Sequence, residues 1–314
     1  MGSVIEAHGL VRNFGDVTAV DGIDLEVPEG EVFGFLGPNG AGKSTAVRVF
    51  TTLLRPSSGI ARVGGHDVVT EAGAVRRIIG VALQDAAIDP LMTANELVRL
   101  QAVLHAIPRT QARTRGGELL ARVGLSAAAD RRVSTYSGGM RRRLDLALSL
   151  IHEPSILFLD EPTTGLDPTS RQALWEEVRR LNSEHGTTVF LTTQYLEEAD
   201  QLADRIAIMK DGVIEQLDTP AKIVLNPATE YVKKFTEEVP REKVLKIEDV
   251  MEKPNNENLG DLKVSKDEII ENVAEKILTQ EKSVTVTGEN NKIVGTIHPS
   301  KIIHTVFGGR KNNS

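Results

Sequence analysis

One eight-residue stretch limits the fold of this chain more than any other: Gly37-Pro38-Asn39-Gly40-Ala41-Gly42-Lys43-Ser44 has the spacing G-x-x-x-x-G-K-[ST]. It follows the apolar run 31–36 and precedes a helical pattern over 44–54, the strand–turn–helix context of a phosphate-binding loop. Glycines let successive backbone N–H groups turn toward phosphates, and the helix N-terminus adds positive potential. Lys43 is placed to reach the β- and γ-phosphates and Ser44 to ligate Mg²⁺, with Thr45 beside it as a further nucleotide-side candidate. A glycine-rich turn that is only flexible would need neither flank.

Apolar patterning extends this start into an α/β chain. Buried strands are expected at 31–36, 155–159 and 187–192, and helices at 141–151, 170–184 and 196–202, with Trp175 a packing residue. Strands alternating with helices imply a largely parallel sheet with helices on both faces. Thr93-Ala94-Asn95-Glu96 has the spacing of a capping box, opening a helix that runs to Leu104 before Pro108. The stretch 85–130 carries helical patterns only, which predicts an inserted helical subdomain over 85–150.

The strand 155–159 delivers Asp160 and Glu161 to the sheet edge at which ligands of open α/β sheets gather. There Asp160 would hold Mg²⁺ through water, and Glu161 would orient and polarise an attacking water; elsewhere two adjacent carboxylates are ordinarily solvated charges. Ser137-Gly138-Gly139 opens another helix and offers N–H groups, a hydroxyl and a dipole to an anion. Alone, Ser-Gly-Gly is a common loop. Between a phosphate loop and Leu157-Phe158-Leu159-Asp160-Glu161-Pro162, it makes residues 4–225 resemble the ATP-binding cassette (ABC) family, whose ATPase subunits drive membrane transporters.

The resemblance implies an ABC ATPase core, a P-loop sheet with helices on both faces plus antiparallel N-terminal strands and the helical insertion. It implies ATP and Mg²⁺ as cofactors, Phe14 as the aromatic that stacks on adenine, and Gln84 in the loop that senses Mg²⁺ and water. Gly165-Leu166-Asp167 would be the loop exchanged between subunits. A Phe at position 14 is equally a candidate core residue. Thr192-Thr193-Gln194 departs from the family pattern, with Gln194 where most cassettes carry a His that contacts the γ-phosphate. An amide donates a hydrogen bond but carries no proton, so a mechanism that needs an imidazolium is excluded. Residues 135–145 and 191–204 resemble the daunorubicin/doxorubicin-resistance ATPases, which power drug and lipid export. Arg141-Arg142-Arg143 is expected to be a solvated helix face.

Composition changes near Leu225. Before it the lysines are Lys43, Lys210 and Lys222 and the other basic residues are Arg; beyond Asn226-Pro227 the arginines are Arg241 and Arg310, and Lys, Glu and Asn become frequent. Lys and Arg exchange readily enough on a solvated surface that folding alone does not force this switch, so different ancestry is favoured over a simple domain boundary. Residues 230–235 and 244–251 resemble the junction in glycine betaine/proline importer ATPases where a CBS module begins. A helix at 268–280, strands at 284–287 and 292–297, and a helix at 300–307 fit one CBS repeat, a small α+β domain over 244–308. A linker at 226–243 and a disordered tail at 309–314 flank it. His298 and Lys301 stand where adenosine-binding repeats carry Thr and Asp, and Lys cannot accept ribose hydroxyls. A dimerising or structural appendage is therefore favoured over a nucleotide sensor.

Other classes are narrowed by composition. The 314 residues suggest about two domains. With no Cys, disulfides, thiolate metal sites and cysteine nucleophiles are removed together, and a net charge of -7 argues against a broadly basic nucleic-acid surface. No apolar stretch reaches the ~18 residues that span a bilayer, and the first residues lack a signal-peptide pattern; Glu6 also stands where a myristoylation motif wants Ser or Thr. The expectation is a cytoplasmic protein, peripheral on the inner face of the cell membrane through a separate transmembrane permease subunit, with no nucleic acid and no direct membrane insertion. The family implies a homodimer in the ATP-bound state, Lys43 and Glu161 of one copy facing Ser137 of the other. Export of hydrophobic, anthracycline-like drugs is the first reading and import of a compatible solute the second. A soluble cassette acting on ribosomes or DNA is disfavoured by the single cassette, and an inactive assembly protein by the intact Lys43, Asp160 and Glu161.

Overall fold

The computed structural model describes residues 2–84, 88–237, 239–254 and 259–307, without the side chains of Glu197, Leu259 and Phe307. Asp85, the expected start of the insertion, and the expected disordered segment 309–314 lie outside the described residues. The chain divides into two compact units, Met1–Asp218 and Thr219–Ser314.

In the first unit, β1 (Ser3–Phe14) and β2 (Val17–Pro28) form an antiparallel pair whose alternation turns Ile5, Ala7, Leu10, Val20, Leu25 and Val27 inward. β3 (Val32–Leu36), buried at every position, runs into the glycine-rich loop and α1 (Lys43–Phe50). β4 (Ser58–Val63) pairs antiparallel with β1, and β5 (His66–Asp67) completes a sheet in the order β2-β1-β4-β5. α2 (Ala72–Ile78) leads into β6 (Ile79–Ala82). Three helices follow, α3 (Ala94–Leu104), α4 (Arg109–Arg122) and α5 (Gly138–Ser149). The core then resumes with β7 (Ile156–Asp160), α6 (Pro168–His185), β8 (Thr188–Thr193), α7 (Leu196–Leu202), β9 (Arg205–Lys210) and β10 (Val213–Asp218).

The main sheet has the order β10-β9-β3-β8-β7-β6, parallel except for β10 against β9. Its register sets Leu36 opposite Thr193 and Asp160 opposite Thr192, so the C-terminal ends of β3, β8 and β7 lie side by side. Behind that edge, Phe190 of β8 sits 5.3–5.6 Å from Phe33, Phe35, Phe50 and Phe158, ring centre to ring centre. These rings and the inward residues of β1 and β2 share one buried cluster, which fixes the strand ends that carry the polar residues.

α3 opens with the expected capping box: Thr93 Oγ1 accepts from the Glu96 N–H at 3.2 Å, and Glu96 accepts from the Thr93 N–H at 2.8 Å. α5 starts earlier than its apolar pattern indicated because Ser137 Oγ accepts from the Met140 N–H. α1 stops at Phe50 rather than 54, where Thr52 turns to φ 65°.

The second unit starts before the expected boundary at 225. α8 (Pro220–Leu225) belongs to it, since Ala221 and Leu225 pack against its core. The expected linker 226–243 contains α9 (Glu230–Thr236), capped by Thr229, and the start of α10 (Arg241–Val244), which precedes α11 (Ile247–Val250). Three strands are present where two were expected: β11 (Leu259–Ser265) pairs parallel with β12 (Ser283–Thr287), which pairs antiparallel with β13 (Ile293–Ile297). α12 (Ile270–Leu278) and α13 (Pro299–Phe307) bury Ile270, Val273, Ile277, Ile302 and Val306 in the same core as Val284, Val286 and Ile297.

Candidate functional site

The site is built where β3, β7 and β8 end. Two glycines make the loop after β3 possible: Gly37 (φ 153°) and Gly42 (φ 105°) would place a Cβ 2.3 Å from the Met209 carbonyl oxygen and 2.1 Å from that of Ala19. Pro38, Asn39 and Gly40 are exposed and Ala41 is buried, so the loop presents one edge outward. Lys43 opens α1 and is only 4% exposed; its Nζ donates to the Gly37 and Pro38 carbonyls at 2.7 and 3.0 Å and lies 3.7 Å from Glu161 Oε1. Burial pulls its ammonium below the ordinary lysine value, while Glu161 and Asp160 oppose that shift. Ser44 Oγ donates to Asp160 Oδ1 at 3.0 Å, and Thr45 is half-buried beside it.

Asp160 ends β7 and also accepts from Thr192 Oγ1 at 2.5 Å. Glu161 takes φ 48°, a left-handed conformation rare for a side chain of this size, and its N–H donates to Thr192 Oγ1 at 3.0 Å. Its carboxylate gathers the remaining polar groups: Gln84 Nε2 donates to Oε2 at 3.3 Å, and Gln194 Nε2 lies 3.2 Å from Oε1. Lys43, Ser44, Gln84, Asp160, Glu161 and Gln194, chosen from four separate stretches of sequence, thus converge around one carboxylate pair.

Other expected site residues lie apart from this cluster. Ser137 and Gly138 are exposed at the start of α5, with Gly139 half-buried behind them. Asp167 is exposed as the N-cap of α6, where the Ser170 hydroxyl and N–H hold its carboxyl below the usual carboxylate range. Phe14 is 45% exposed with the Arg12 guanidinium 4.5 Å from its ring centre, so the alternative of a core residue does not hold. Among the described residues, no hydrogen bond or ion pair joins Phe14, Ser137 or Asp167 to the Lys43–Glu161 cluster.

Sequence reasoning passed over three features. Thr192 falls within the expected strand 187–192, and its pairing with Asp160 brings its hydroxyl within reach of that carboxylate. Buried Glu198 accepts from Thr193 Oγ1 at 2.7 Å and from Thr163 Oγ1, tying the segment before Gln194 to the one after Glu161. Arg142 is not part of a solvated face: it is 8% exposed, and its guanidinium donates to backbone carbonyls on both sides of the carboxylate cluster. Arg141 alone of the three arginines is exposed, because one helical face turns inward.

The family described as ABC transporter matches residues 20–164. The trimethylamine N-oxide transport system ATP-binding protein TmoW of Pelagibacter ubique is 50% identical over 98% of this chain and 93% of its own. The daunorubicin/doxorubicin resistance ATP-binding protein DrrA of Streptomyces peucetius is 55% identical over 66% of this chain and 63% of its own. A solved ATP-binding cassette, dimeric in a post-hydrolysis state with ADP and Pi, superposes with a TM-score of 0.64 at 28% identity, covering 69% of this chain and 98% of that one. Among the described residues no helix is long and apolar enough to cross a membrane. The chain belongs to the ABC transporter family, as one of its ATP-binding, ATP-hydrolysing subunits.

Proposed function

We propose that this chain energises the export of hydrophobic, anthracycline-like drugs through a separate membrane subunit. The supporting observation is the 55% identity of the cassette to a drug-resistance ATPase, which exceeds the 50% identity to TmoW over nearly the whole chain. In this reading the phosphates of ATP lie along 37–45, with Phe14 on adenine. The Ser44 hydroxyl and Asp160 carboxylate, 3.0 Å apart, suit Mg²⁺, which takes few carboxylates and completes its shell with phosphate and water; Gln84 stands beside them. The metal, when bound, neutralises charge on the β- and γ-phosphates. Lys43 holds the terminal phosphate, Glu161 orients and polarises the attacking water, and Gln194 donates a hydrogen bond without exchanging a proton.

Ser137, Gly138, Gly139 and Asp167 then act across a head-to-tail dimer, Ser137 of the partner subunit facing the Lys43 side of the site. Closure on ATP moves the membrane subunit, which is met near Gln84: a groove of about 700 Å³ beside it is lined by Leu83, Ile88, Leu97, Leu100, Leu104 and Asp145. The chain is thereby peripheral on the cytoplasmic face of the membrane. The second unit serves as a single CBS-like appendage favouring self-association.

Transport of a small zwitterionic solute is a second reading, favoured by the similarity to TmoW through the tail as well as the cassette. Co-expression separates the two. With an exporter-type membrane subunit, cells should accumulate less of a hydrophobic cationic drug, and Glu161→Gln should abolish the difference. Solute uptake with an importer's membrane subunit, and no efflux with any exporter subunit, would select the second reading.

A further inference from the structure

We infer that Arg142 is a positioning residue: its guanidinium ties the Gln84 and Glu161 loops to helix α5, so that Glu161 addresses its water only when α5 is seated against both. The inference rests on Glu161 as the water-orienting group. Nε donates to the Pro162 carbonyl at 3.1 Å, Nη2 to those of Asp160 and Glu161 at 2.6 and 2.9 Å, and Nη1 to those of Leu83 and, at 3.3 Å, Gln84. Those carbonyls belong to the last residue of β7 and to the segments that follow β6 and β7, adjacent parallel strands of the main sheet.

The planar fork of an arginine, with five N–H donors and no acceptor, can bridge two loop backbones at once; a lysine ammonium cannot. Asp145, one turn along α5, supplies a countercharge at 3.9 Å. Arg143, the next residue, instead donates to the Val123 carbonyl inside the helical insertion, so Arg142 alone of the triplet spans from α5 to the sheet. The tie matters most at Glu161. Its left-handed backbone is sparsely populated without support, and Thr192 holds its N–H while Arg142 holds its carbonyl. Because α5 begins at Ser137, the group meant to face the partner's nucleotide, the same residue couples dimer closure to the placing of Glu161 and Gln84.

The test uses the full chain with Arg142→Lys, Arg142→Gln, Glu161→Gln and the double variant Arg142→Gln/Glu161→Gln. Turnover, affinity for a fluorescent ATP analogue and thermal midpoint are measured on each. Arg142→Lys and Arg142→Gln should lower kcat by ~10–100-fold, the scale of an ångström-level misplacement. KM and analogue affinity should stay within about two-fold, because the lost interaction acts only on the chemical step. The residual single-turnover rate of the double variant should equal that of Glu161→Gln alone, since Arg142 then has no carboxylate to position. A rate reduced by the product of the two single effects, or a parent-like kcat in Arg142→Gln, overturns the inference. A Glu161→Gln chain that turns over normally overturns the reading beneath it and the inference with it. If the Arg142 variants do not fold, hydrogen exchange of the parent decides: amides 82–84, 160–163 and the first turn of α5 should open together, and independent opening overturns the tie.

Discussion

Glu161 and Gln194 sit within hydrogen-bonding distance of each other, and in the proposed function each is a single side chain on which the hydrolytic step turns. The amide of Gln194 lies 3.2 Å from Glu161 Oε1 and has no ionisable proton, so turnover should show no transition near the ~6.5 of a free histidine that vanishes with this residue. Gln194→Ala should slow hydrolysis more than Gln194→His, which keeps a donor. Equal rates for the parent and Gln194→Ala would exclude contact with the γ-phosphate. Two half-buried groups outside the cluster make stability depend on pH in opposite directions. Burial raises Asp145 to about 6 against the pull of Arg142. Its proton is thus held more tightly in the folded chain, and its contribution to stability is complete below about 3.9 and lost as pH rises through 6. Burial, then the stacked His105, lowers His152 to about 4, with the bond to the Ile79 carbonyl opposing. Its contribution is complete above about 6.5 and lost as pH falls toward 4. The two slopes offset each other between pH 4 and 6. Asp145→Asn should therefore make the thermal midpoint fall more steeply on acidification across that window, and His152→Gln should make it rise; unchanged slopes in both variants would show that neither group is shifted. The candidate cluster is legible in the sequence because Lys43, Asp160 and Glu161 lie in dense local patterns. The sequence hides Arg142 and Glu198, whose roles depend on which helical face turns inward and on loops brought close by the sheet.

At the scale of elements, local chemistry was most legible where caps and apolar runs coincide. α3 carries its own start signal in Thr93 and Glu96, and α7 spans Leu196–Leu202 as its pattern indicates. Thr93→Ala removes the acceptor for the Glu96 N–H and should cost about 1 kcal/mol, read as a lower thermal midpoint with faster amide exchange in the first turn of α3. Thr93→Ser should restore both, and a Thr93→Ala chain indistinguishable from the parent would mean that Glu96 and packing alone set this end. β11 was missed because its sequence, Leu259-Gly260-Asp261-Leu262-Lys263-Val264-Ser265, mixes polar and glycine positions; pairing with β12 decides it. α9 was missed for another reason. At seven residues it is too short for periodicity to separate it from a loop, and the Thr229 cap, accepting from the Val232 N–H at 3.2 Å, is its clearest local signal.

The whole molecule places its ATP chemistry and its tail in separate compact units, and the point of division makes the tail testable. The composition change near Leu225 suggests a cut there, but α8 lies in the second unit, and its Ala221 and Leu225 pack on that unit's core. A chain ending at 225 would keep α8 while losing the residues that cover it, and should be less soluble than one ending at 218. The chain ending at 218 retains Lys43, Ser44, Gln84, Asp160, Glu161 and Gln194 with their mutual bonds, so its ATPase rate per site at saturating protein concentration should match the parent. What it should lose is self-association without nucleotide. The second unit leaves Leu278, Ile293 and Ile303 exposed by 39%, 45% and 51%, the kind of apolar surface a second copy can cover. Sedimentation of the two chains without nucleotide should therefore show a lower dimer fraction for the shortened one, and ATP with Glu161→Gln should restore dimers in both, since the proposed ATP-bound dimer is made by the cassettes. Equal dimer fractions without nucleotide would remove self-association from the tail. Tight, saturable binding of an adenosine nucleotide by the parent but not by a chain that lacks the tail and carries Lys43→Ala, with retention in Lys43→Ala alone, would instead make the tail a sensor despite His298 and Lys301.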